Sequence, residues 1–313
     1  MVQRFAQISD PHLSSLLEVR PAELLNKRLL GYLSWRRKRR FEHRTEVLDA
    51  LLQDLQGHHF EQLLVTGDLT HIGLPSEFRQ ARDWLQRLGP ANQVALVPGN
   101  HDSCVAAPWE QTYALWDAYM QSDQASNERA GLPFPSFRQR GDLAYIGLST
   151  ACPTPPLMAT GHISEQQLEQ LPGLLDAAAA DNLFRVVYLH HSPLPGKEKW
   201  RKRLTNAPAL AKIIAEHGAE LILHGHGHRA RSFELETVAG PAQVMAVPSA
   251  SALGLHGADC AAYNCYEISR QADGWRLQLG ARRYCREREA FTTGPERTLS
   301  IKRLLPQPSP GNP

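Results

Sequence analysis

Asp10 and His12 stand one residue apart, directly after the short apolar run at residues 5–8. In an extended segment, residues i and i+2 point to the same side, so this carboxylate and this imidazole can act together. Taken alone, Asp10-Pro11-His12 is more typical of an Asp-Pro turn with an exposed histidine. The pattern becomes informative because polar side chains follow four other apolar runs in the same way.

Those runs lie at residues 63–65, 94–97, 185–189 and 219–223, and each reads as a buried strand. An Asp, Asn or His follows each run within a few positions, and these residues are Asp68, Asn100, His101, His190, His226 and His228. In α/β sheets, ligands gather at the carboxyl ends of the strands. We therefore expect all five strand ends to face one crevice.

The donors in this set are carboxylate and amide oxygens and imidazole nitrogens, without a cysteine. Such donors suit hard to borderline ions, with Mn or Fe favoured and Zn, Co or Ni as alternatives. The set is large enough for two divalent metal ions, since a carboxylate can bridge a pair. Two ions about 3.5–4 Å apart suit displacement at phosphorus, so the sequence predicts a phosphoric ester hydrolase.

The same residues carry a resemblance to the calcineurin-like metallophosphoesterase superfamily. It rests on five motifs in the family's order: Asp10-Pro11-His12, Gly67-Asp68-Leu69-Thr70, Gly99-Asn100-His101-Asp102, His190-His191 and Gly225-His226-Gly227-His228. Each motif alone is weak, but five in order from residue 10 to residue 228 make a strong signal. The resemblance implies an α/β fold, a four-layer α/β/β/α sandwich of two mixed β-sheets flanked by helices.

The resemblance also implies a role for each motif residue. Seven would bind metal: Asp10, His12 and His228 at the first ion, Asp68 between the two, and Asn100, His190 and His226 at the second. His101 would protonate the leaving oxygen or stabilise charge on the phosphoryl group, and Asp102 is expected to orient His101. A hydroxide that bridges the two ions would attack phosphorus. Three further histidines are expected to support the ligands or to lie at the surface, namely His71, His191 and His224.

Within the superfamily, protein Ser/Thr phosphatases carry Gly-Asp-x-x-Asp-Arg-Gly and Gly-Asn-His-Glu. This chain has His71-Ile72-Gly73 and Asp102 at the corresponding places, so a protein phosphatase is disfavoured. The motifs look more like those of bacterial class III cyclic-nucleotide and glycerophosphodiester phosphodiesterases, which favours a small phosphodiester substrate. A partial similarity to the UDP-2,3-diacylglucosamine hydrolases of lipid A synthesis leaves an alternative. In it, the protein is a membrane-peripheral hydrolase of a lipid-linked pyrophosphate or phospholipid.

That alternative depends on a basic amphipathic insertion at about residues 20–44. It contains five consecutive cations, residues 36–40, beside Tyr32, Trp35 and Phe41. Through residues 24–40 the protein could rest on an anionic membrane surface, or the run could be a solvated helix face; both interpretations stay open. The aromatic interleaving is too thin to favour nucleic acid as a partner. A scaffold without activity is disfavoured because every expected ligand is present.

Composition sets few further bounds. Of the 313 residues, 42% are hydrophobic and 21% charged, which is ordinary for a globular protein. The net charge of +2 points to no class of partner, and the oligomeric state stays open. Five scattered cysteines without a CxxC favour a reduced compartment. With no signal-peptide pattern at the first residues and no membrane-spanning run, we predict a cytoplasmic protein, with contact to the inner membrane face as the open alternative.

We predict a single domain over residues 1–305 and a disordered tail at 306–313. Hydrophobic periodicity and capping residues predict helices at 21–30, 45–55, 75–88, 109–120, 164–180 and 206–217. Alternating patterns near the end predict strands at 232–238, 243–247, 262–269 and 275–279. From the family resemblance, this strand-rich end is expected to complete the second sheet.

Overall fold

A computed structural model describes residues 2–13, 15–17, 19–124, 132–255 and 257–302. The strands are β1 Val2–Ile8, β2 Gln62–Val65, β3 Val94–Leu96, β4 Ser136–Arg140, β5 Leu143–Gly147, β6 Phe184–Tyr188, β7 Leu221–His224, β8 Arg231–Leu235, β9 Ala242–Ala246, β10 Ala262–Gln271, β11 Gly274–Cys285 and β12 Ala290–Lys302. The helices are α1 Arg28–Ser34, α2 Arg40–Glu42, α3 Thr45–Gln56, α4 Pro75–Leu88, α5 Asp117–Met120, α6 Glu165–Ala180 and α7 Ala207–His217. The predicted tail at 306–313 lies outside the described residues.

The strands form two six-stranded mixed sheets. The first has the order β12-β11-β10-β1-β2-β3, and the second β4-β5-β6-β7-β9-β8. β1, β2 and β3 run parallel, with Ile8 opposite Val65 and Val65 opposite Leu96. β5, β6, β7 and β9 are also parallel. The carboxyl ends of these parallel strands, which the candidate residues follow, therefore lie at the same end of each sheet.

The main core fills the space between the sheets. The ring of Phe5 on β1 contacts Tyr266 in its own sheet, with centroids 4.7 Å apart, and Tyr145 of the second sheet at 5.3 Å. In β6, Val186 faces this core, whereas Val187 packs in a second cluster with side chains of α6 and α7. Such two-sided burial explains why the central strands read as continuous apolar runs.

Helices cover the outer faces of the sandwich. α3 buries Val47, Leu48, Leu51 and Leu55, a set with helical spacing, against the cluster of the first sheet. α6 and α7 cover the second sheet. The predicted fold class is thus confirmed.

Two predicted helices are broken in the structure. Residues 21–30 form a 3-10 turn, Pro21–Leu24, and α1 begins only at Arg28, whose backbone N–H donates to the Asn26 side chain at 2.9 Å. An Asn side chain competes in this way with the backbone carbonyls that would continue a helix. Residues 109–120 form two 3-10 turns and the short α5, because Thr112 has φ −129° and ψ −104°, outside the helical region.

The strand-rich end contributes strands to both sheets and not only to the second, so that expectation is wrong. β8 and β9 join the second sheet, but β10, β11 and β12 extend the first from β1. β12, at 290–302, was not expected, because its sequence is mostly polar and it lies at the sheet edge. Among the described residues, no helix is long and apolar enough to cross a bilayer.

Candidate metal centre

Unusual backbone geometry marks the predicted ligands. Eight non-glycine residues among those described have a positive φ, and five of them are predicted ligands: Asp10, His12, Asp68, His226 and His228. This left-handed region disfavours residues with a Cβ, and such strain costs about 1–3 kcal/mol per residue when the surroundings impose it. The turns after β1, β2 and β7 therefore adopt a backbone conformation that costs stability, and this conformation sets the direction of these side chains.

Glycines let these turns approach one another. A Cβ at Gly67 would lie 2.7 Å from Nδ1 of His190, and one at Gly99 would overlap the Asp68 carboxylate. Gly225 similarly abuts Ser9 and Asp10. The glycines of three motifs thus serve the same purpose, namely close contact between neighbouring strand ends.

Asp10, His12 and His228 form the first group of donors. Nε2 of His228 lies 3.0 Å from Oδ1 of Asp10 and 3.4 Å from Nε2 of His12. Nδ1 of His12 contacts the carbonyl oxygen of Thr70 at 2.9 Å, so it carries the ring proton. The Nε2 lone pair of His12 is therefore available to a cation, the arrangement that metal-binding histidines commonly show.

Asn100 and His190 belong to a second group beside Asp68. Nδ1 of His190 contacts the carbonyl oxygen of Thr66 at 2.7 Å, and its Nε2 lies 3.2 Å from both Oδ1 of Asn100 and Oδ2 of Asp68. Oδ2 of Asp68 is also 4.0 Å from Nε2 of His12 in the first group. Asp68 therefore lies between the two groups, and two oxygens, one of Asn100 and one of Asp68, converge on Nε2 of His190.

His226 is the third predicted ligand of the second group. Its backbone N–H donates to Oδ2 of Asp10 at 3.0 Å, and its ring meets that of His190 edge to face, with centroids 5.1 Å apart. Nε2 of His226 is buried and has no hydrogen-bond partner among the described residues. Such an orphaned imidazole nitrogen is costly unless a cation or water occupies the space before it.

The electrostatics of the pocket call for positive charge. Burial lowers the pKa of His190, but Asp68, Asp10 and the Thr66 carbonyl together raise that pKa to about 9. Burial raises the pKa of Asp10, but His228, His190 and Ser9 together hold that pKa well below its ordinary value. Burial lowers the pKa of His12 and His226 and keeps both rings neutral, the form in which imidazole binds metal.

The residues present fit a pair of divalent ions. Oxygen and imidazole donors converge in two groups, with one carboxylate between them and lone pairs directed inward. Three sets of side chains have ligand atoms that lie within 4.8 Å of one another: His12, His43 and His228; His190, His191 and His226; and Asp10, Asp68 and His190. These sets include six of the seven predicted ligands, and Asn100 is adjacent through His190.

Asp102 does not orient His101, which corrects the predicted role. Its Oδ2 accepts the backbone N–H groups of Asp68 and Gly99, and its Oδ1 accepts the N–H and the hydroxyl of Thr70. Both carboxylate oxygens are thereby occupied. Asp102 instead ties the turn after β2 to the turn after β3, and burial together with the nearby Asp68 charge raises its pKa to about 7.

The His101 ring is oriented by other groups. Its Nδ1 lies 2.6 Å from the carbonyl oxygen of His71 and must carry a proton there. Nη1 of Arg39 lies 2.9 Å from Nε2 of His101, which therefore accepts. In this tautomer Nε2 has no proton to donate, so the role of His101 as an acid stays a prediction.

Two residues of the basic segment, residues 20–44, lie in the site although the sequence did not predict them there. Arg39 contacts His101, and the His43 ring lies 4.5 Å from the His12 ring, centroid to centroid. Nδ1 of His43 contacts Oγ of Ser251 at 2.8 Å. No sequence signal marked either residue, because neither follows a strand and Arg39 looks like its cationic neighbours.

The remaining histidines are placed by protein contacts. Nδ1 of His191 contacts Oγ1 of Thr150 and Nε2 contacts the carbonyl oxygen of Ala159, so both nitrogens are engaged. His71 and His224 are fully enclosed beside the site, and each has one ring nitrogen without a partner among the described residues. None of the three lies at the surface.

Comparison with known proteins supports the family. Residues 3–230, which include every candidate ligand, match the calcineurin-like phosphoesterase family. The chain is 28% identical over 188 residues to a probable cyclic nucleotide phosphodiesterase of Synechococcus sp., covering 58% of this chain and 63% of that protein. It is 28% identical over 192 residues to a 3',5'-cyclic-nucleotide phosphodiesterase of Nostoc sp., covering 59% and 63%.

The match thus spans less than two thirds of the length of these relatives. A crystal structure of a dimetal phosphatase from Danio rerio superposes with a TM-score of 0.49 at 14% identity, covering 96% of this chain and 99% of that one. That score carries no conclusion about function. The family match over residues 3–230, by contrast, covers most of the chain and all five motifs, and we conclude that the chain belongs to the calcineurin-like phosphoesterase family.

Proposed function

We propose that this protein is a phosphodiesterase that uses a dinuclear metal centre. The observation that carries the proposal is the position of Asp68, whose Oδ2 lies between Nε2 of His190 at 3.2 Å and Nε2 of His12 at 4.0 Å. A carboxylate so placed can serve two ions at once. The ions would be bound by Asp10, His12 and His228 on one side and by Asn100, His190 and His226 on the other, with Mn or Fe favoured over Zn, Co or Ni.

When bound, the two ions would supply a bridging hydroxide near neutral pH and neutralise charge on the phosphoryl oxygens. The chain's own residues do the rest. The carbonyl oxygens of Thr66 and Thr70 fix the ring tautomers of His190 and His12. In the overall reaction, the oxygen of water bonds to phosphorus, the ester P–O bond breaks, and a proton of the water ends on the departing alcohol.

The substrate class follows from the motifs and from the named relatives. The Gly-Asn-His-Asp form of the third motif and the two relatives named as cyclic nucleotide phosphodiesterases favour a small phosphodiester. We therefore propose a nucleotide or glycerol phosphodiester as the substrate of this centre.

The decisive experiment is hydrolysis of bis(p-nitrophenyl) phosphate and of p-nitrophenyl phosphate by metal-stripped protein given Mn²⁺. We expect cleavage of the diester, little cleavage of the monoester, and loss of at least about 100-fold in kcat for Asn100→Ala. The exposed His58 offers a matched surface control for His190→Ala, since both replace one imidazole.

Each result decides something. Diester cleavage that depends on Asn100 and His190 but not on His58 supports the proposal. No turnover of either ester with Mn²⁺, Fe²⁺, Zn²⁺, Co²⁺ or Ni²⁺ would contradict it for small diesters.

A second candidate is a peripheral hydrolase of a lipid-linked pyrophosphate or phospholipid. It is favoured by five exposed apolar side chains between residues 17 and 41: Leu17, Leu25, Leu29, Leu30 and Phe41. A groove of about 470 Å³ also runs from His12 and His43 to Leu17 and Phe41. Its apolar and basic lining suits an amphiphilic ester.

The five cysteines are free, and the cytoplasm, including its membrane face, remains the proposed compartment.

A further inference from the structure

Arg39 is the one member of the basic run whose charged end is seated in the metal centre. It ends a π-helical turn, Trp35–Arg39, between α1 and α2. Such turns often occur at functional sites, because the extra residue redirects a side chain. Arg36, Arg37, Lys38 and Arg40 are exposed, whereas Arg39 is partly buried with Nη1 against both nitrogens of His101.

The segment that carries Arg39 is fixed to the body of the protein. Trp35 is 4% exposed and packs with Leu16, Ile72, Leu74 and Cys104 in a separate apolar cluster.

Polar contacts fix the same segment. Nη2 of Arg28 donates to the carbonyl oxygen of Gly73 at 2.6 Å, and its Nε donates to that of Ile72 at 3.1 Å. At the other end, the buried carboxylate of Glu42 accepts the backbone N–H groups of Gly254 and Leu255. Arg39 is therefore held in place rather than swinging freely in solvent.

The charge of Arg39 is not neutralised by a direct ion pair. Among the described residues, no carboxylate forms an ion pair with its guanidinium, and its one side-chain hydrogen bond goes to Nε2 of His101. A guanidinium has five N–H donors, so most of them stay open to an incoming acceptor. Burial lowers the pKa of Arg39, and nearby acidic groups, Asp68 first and then Cys104, Asp10 and Glu77, act to raise it; Asp68 and Asp10 belong to the metal centre.

We propose that Arg39 is a catalytic residue that donates hydrogen bonds to a non-bridging oxygen of the phosphoryl group bound at the metal centre. The proposal rests on the function proposed above. A planar guanidinium matches the spacing of two phosphoryl oxygens. Arg39 also occupies Nε2 of His101, so on this side of the site the open N–H groups belong to the arginine and not to the histidine.

Positive charge at this place favours the transition state. During displacement at phosphorus, negative charge spreads over the equatorial oxygens, and a prepositioned donor stabilises it without reorganisation. Removal of one such donor typically lowers kcat by about 10²–10³.

The kinetic test uses Arg39→Gln, Arg39→Lys and the control Arg79→Gln in full-length protein loaded with Mn²⁺. Arg79 is exposed on α4 and belongs to neither group of donors. With bis(p-nitrophenyl) phosphate, Arg39→Gln should lower kcat by about 100-fold while Arg79→Gln leaves it unchanged. Arg39→Lys should fall between them, because it retains the charge and loses the fork.

A binding test works without turnover. Titration of inorganic phosphate into the Mn²⁺-loaded proteins should give about tenfold weaker binding for Arg39→Gln than for wild type or Arg79→Gln, with metal content unchanged. Equal phosphate affinity in all three proteins would overturn the proposal, and so would loss of metal from Arg39→Gln. Failure of wild type to cleave any ester, with the phosphate difference intact, would instead count against the phosphodiesterase function alone.

Discussion

The carboxylate of Asp102 accepts a hydrogen bond from the backbone N–H of Asp68 at 3.0 Å, across 34 positions of sequence. The same carboxylate bonds Thr70 and Gly99, so one buried acid joins the second and third motifs. Asp68 in turn accepts the backbone N–H of His101 at 2.7 Å through Oδ1. The two turns therefore fix each other, and the side chains between the two groups of donors keep their spacing.

Asp102→Asn should lower both stability and activity. An amide presents one acceptor and two donors to a site where four donors now meet two oxygens, so donors are left unpaired at a cost of about 1–3 kcal/mol in the free energy of unfolding. Urea denaturation measures this loss, and diester hydrolysis should fall because the turn with Asn100 and His101 shifts. Asp83→Asn, at an exposed ion pair with Arg82, is the matched control and should change little. Equal stability of the two variants would contradict the assigned role.

Removal of metal should lower the melting temperature. The side chains of Asp68, Asn100 and His190 meet within hydrogen-bond distance, and an ion that binds them only in the folded state should stabilise it by about 2.7 kcal/mol at 100 times its Kd. Scanning calorimetry of stripped protein with increasing Mn²⁺ measures the shift. His190→Ala should reduce the shift, and His58→Ala should retain it. A melting temperature that is independent of Mn²⁺, Fe²⁺ and Zn²⁺ would count against the centre.

Gly225→Ala should disrupt the contact between the first and fifth motifs. The added Cβ would meet the side chains of Ser9 and Asp10, and overpacking of this kind costs about 1–3 kcal/mol. Urea denaturation and the metal content after dialysis against Mn²⁺ should both decrease. Gly173→Ala provides the control, because no atom lies within 4 Å of the new Cβ and alanine favours the helix. If Gly225→Ala keeps full metal content, the close approach does not matter for the ligands.

Replacement of Arg36, Arg37 and Lys38 by Gln tests the membrane alternative. Each cation near an anionic surface contributes about 1 kcal/mol, so the loss of three should weaken binding to vesicles of phosphatidylglycerol and phosphatidylcholine by about 100- to 200-fold. Cosedimentation at low salt measures this, while cleavage of bis(p-nitrophenyl) phosphate should be unchanged. The control replaces three exposed arginines of the strand-rich end, Arg276, Arg286 and Arg297. Wild-type protein that does not bind such vesicles would favour the solvated helix face.

Local signals were sufficient for most elements. α4 has the predicted bounds, and α3, α6 and α7 each differ from the predicted range by one residue at one end, because their apolar spacing and their end residues agree. Ser164, for instance, accepts the backbone N–H of Gln167 as the N-cap of α6. Residues 21–30 and 109–120 were harder to predict, since Asn26 and Thr112 act through local backbone geometry that periodicity does not report.

The sequence by itself determined the family, the order of the motifs and the donors offered at each strand end, because apolar runs followed by Asp, Asn or His are legible without coordinates. Only the tertiary structure decided which atoms meet. It brought Asp102 to the backbone of Asp68 rather than to His101, and it split the last strands between the two sheets. It also gave Arg39 a place in the site that its four cationic neighbours do not share, because Arg39 ends the turn that buries Trp35. These outcomes depend on contacts between residues far apart in the chain, and no local pattern encodes such contacts.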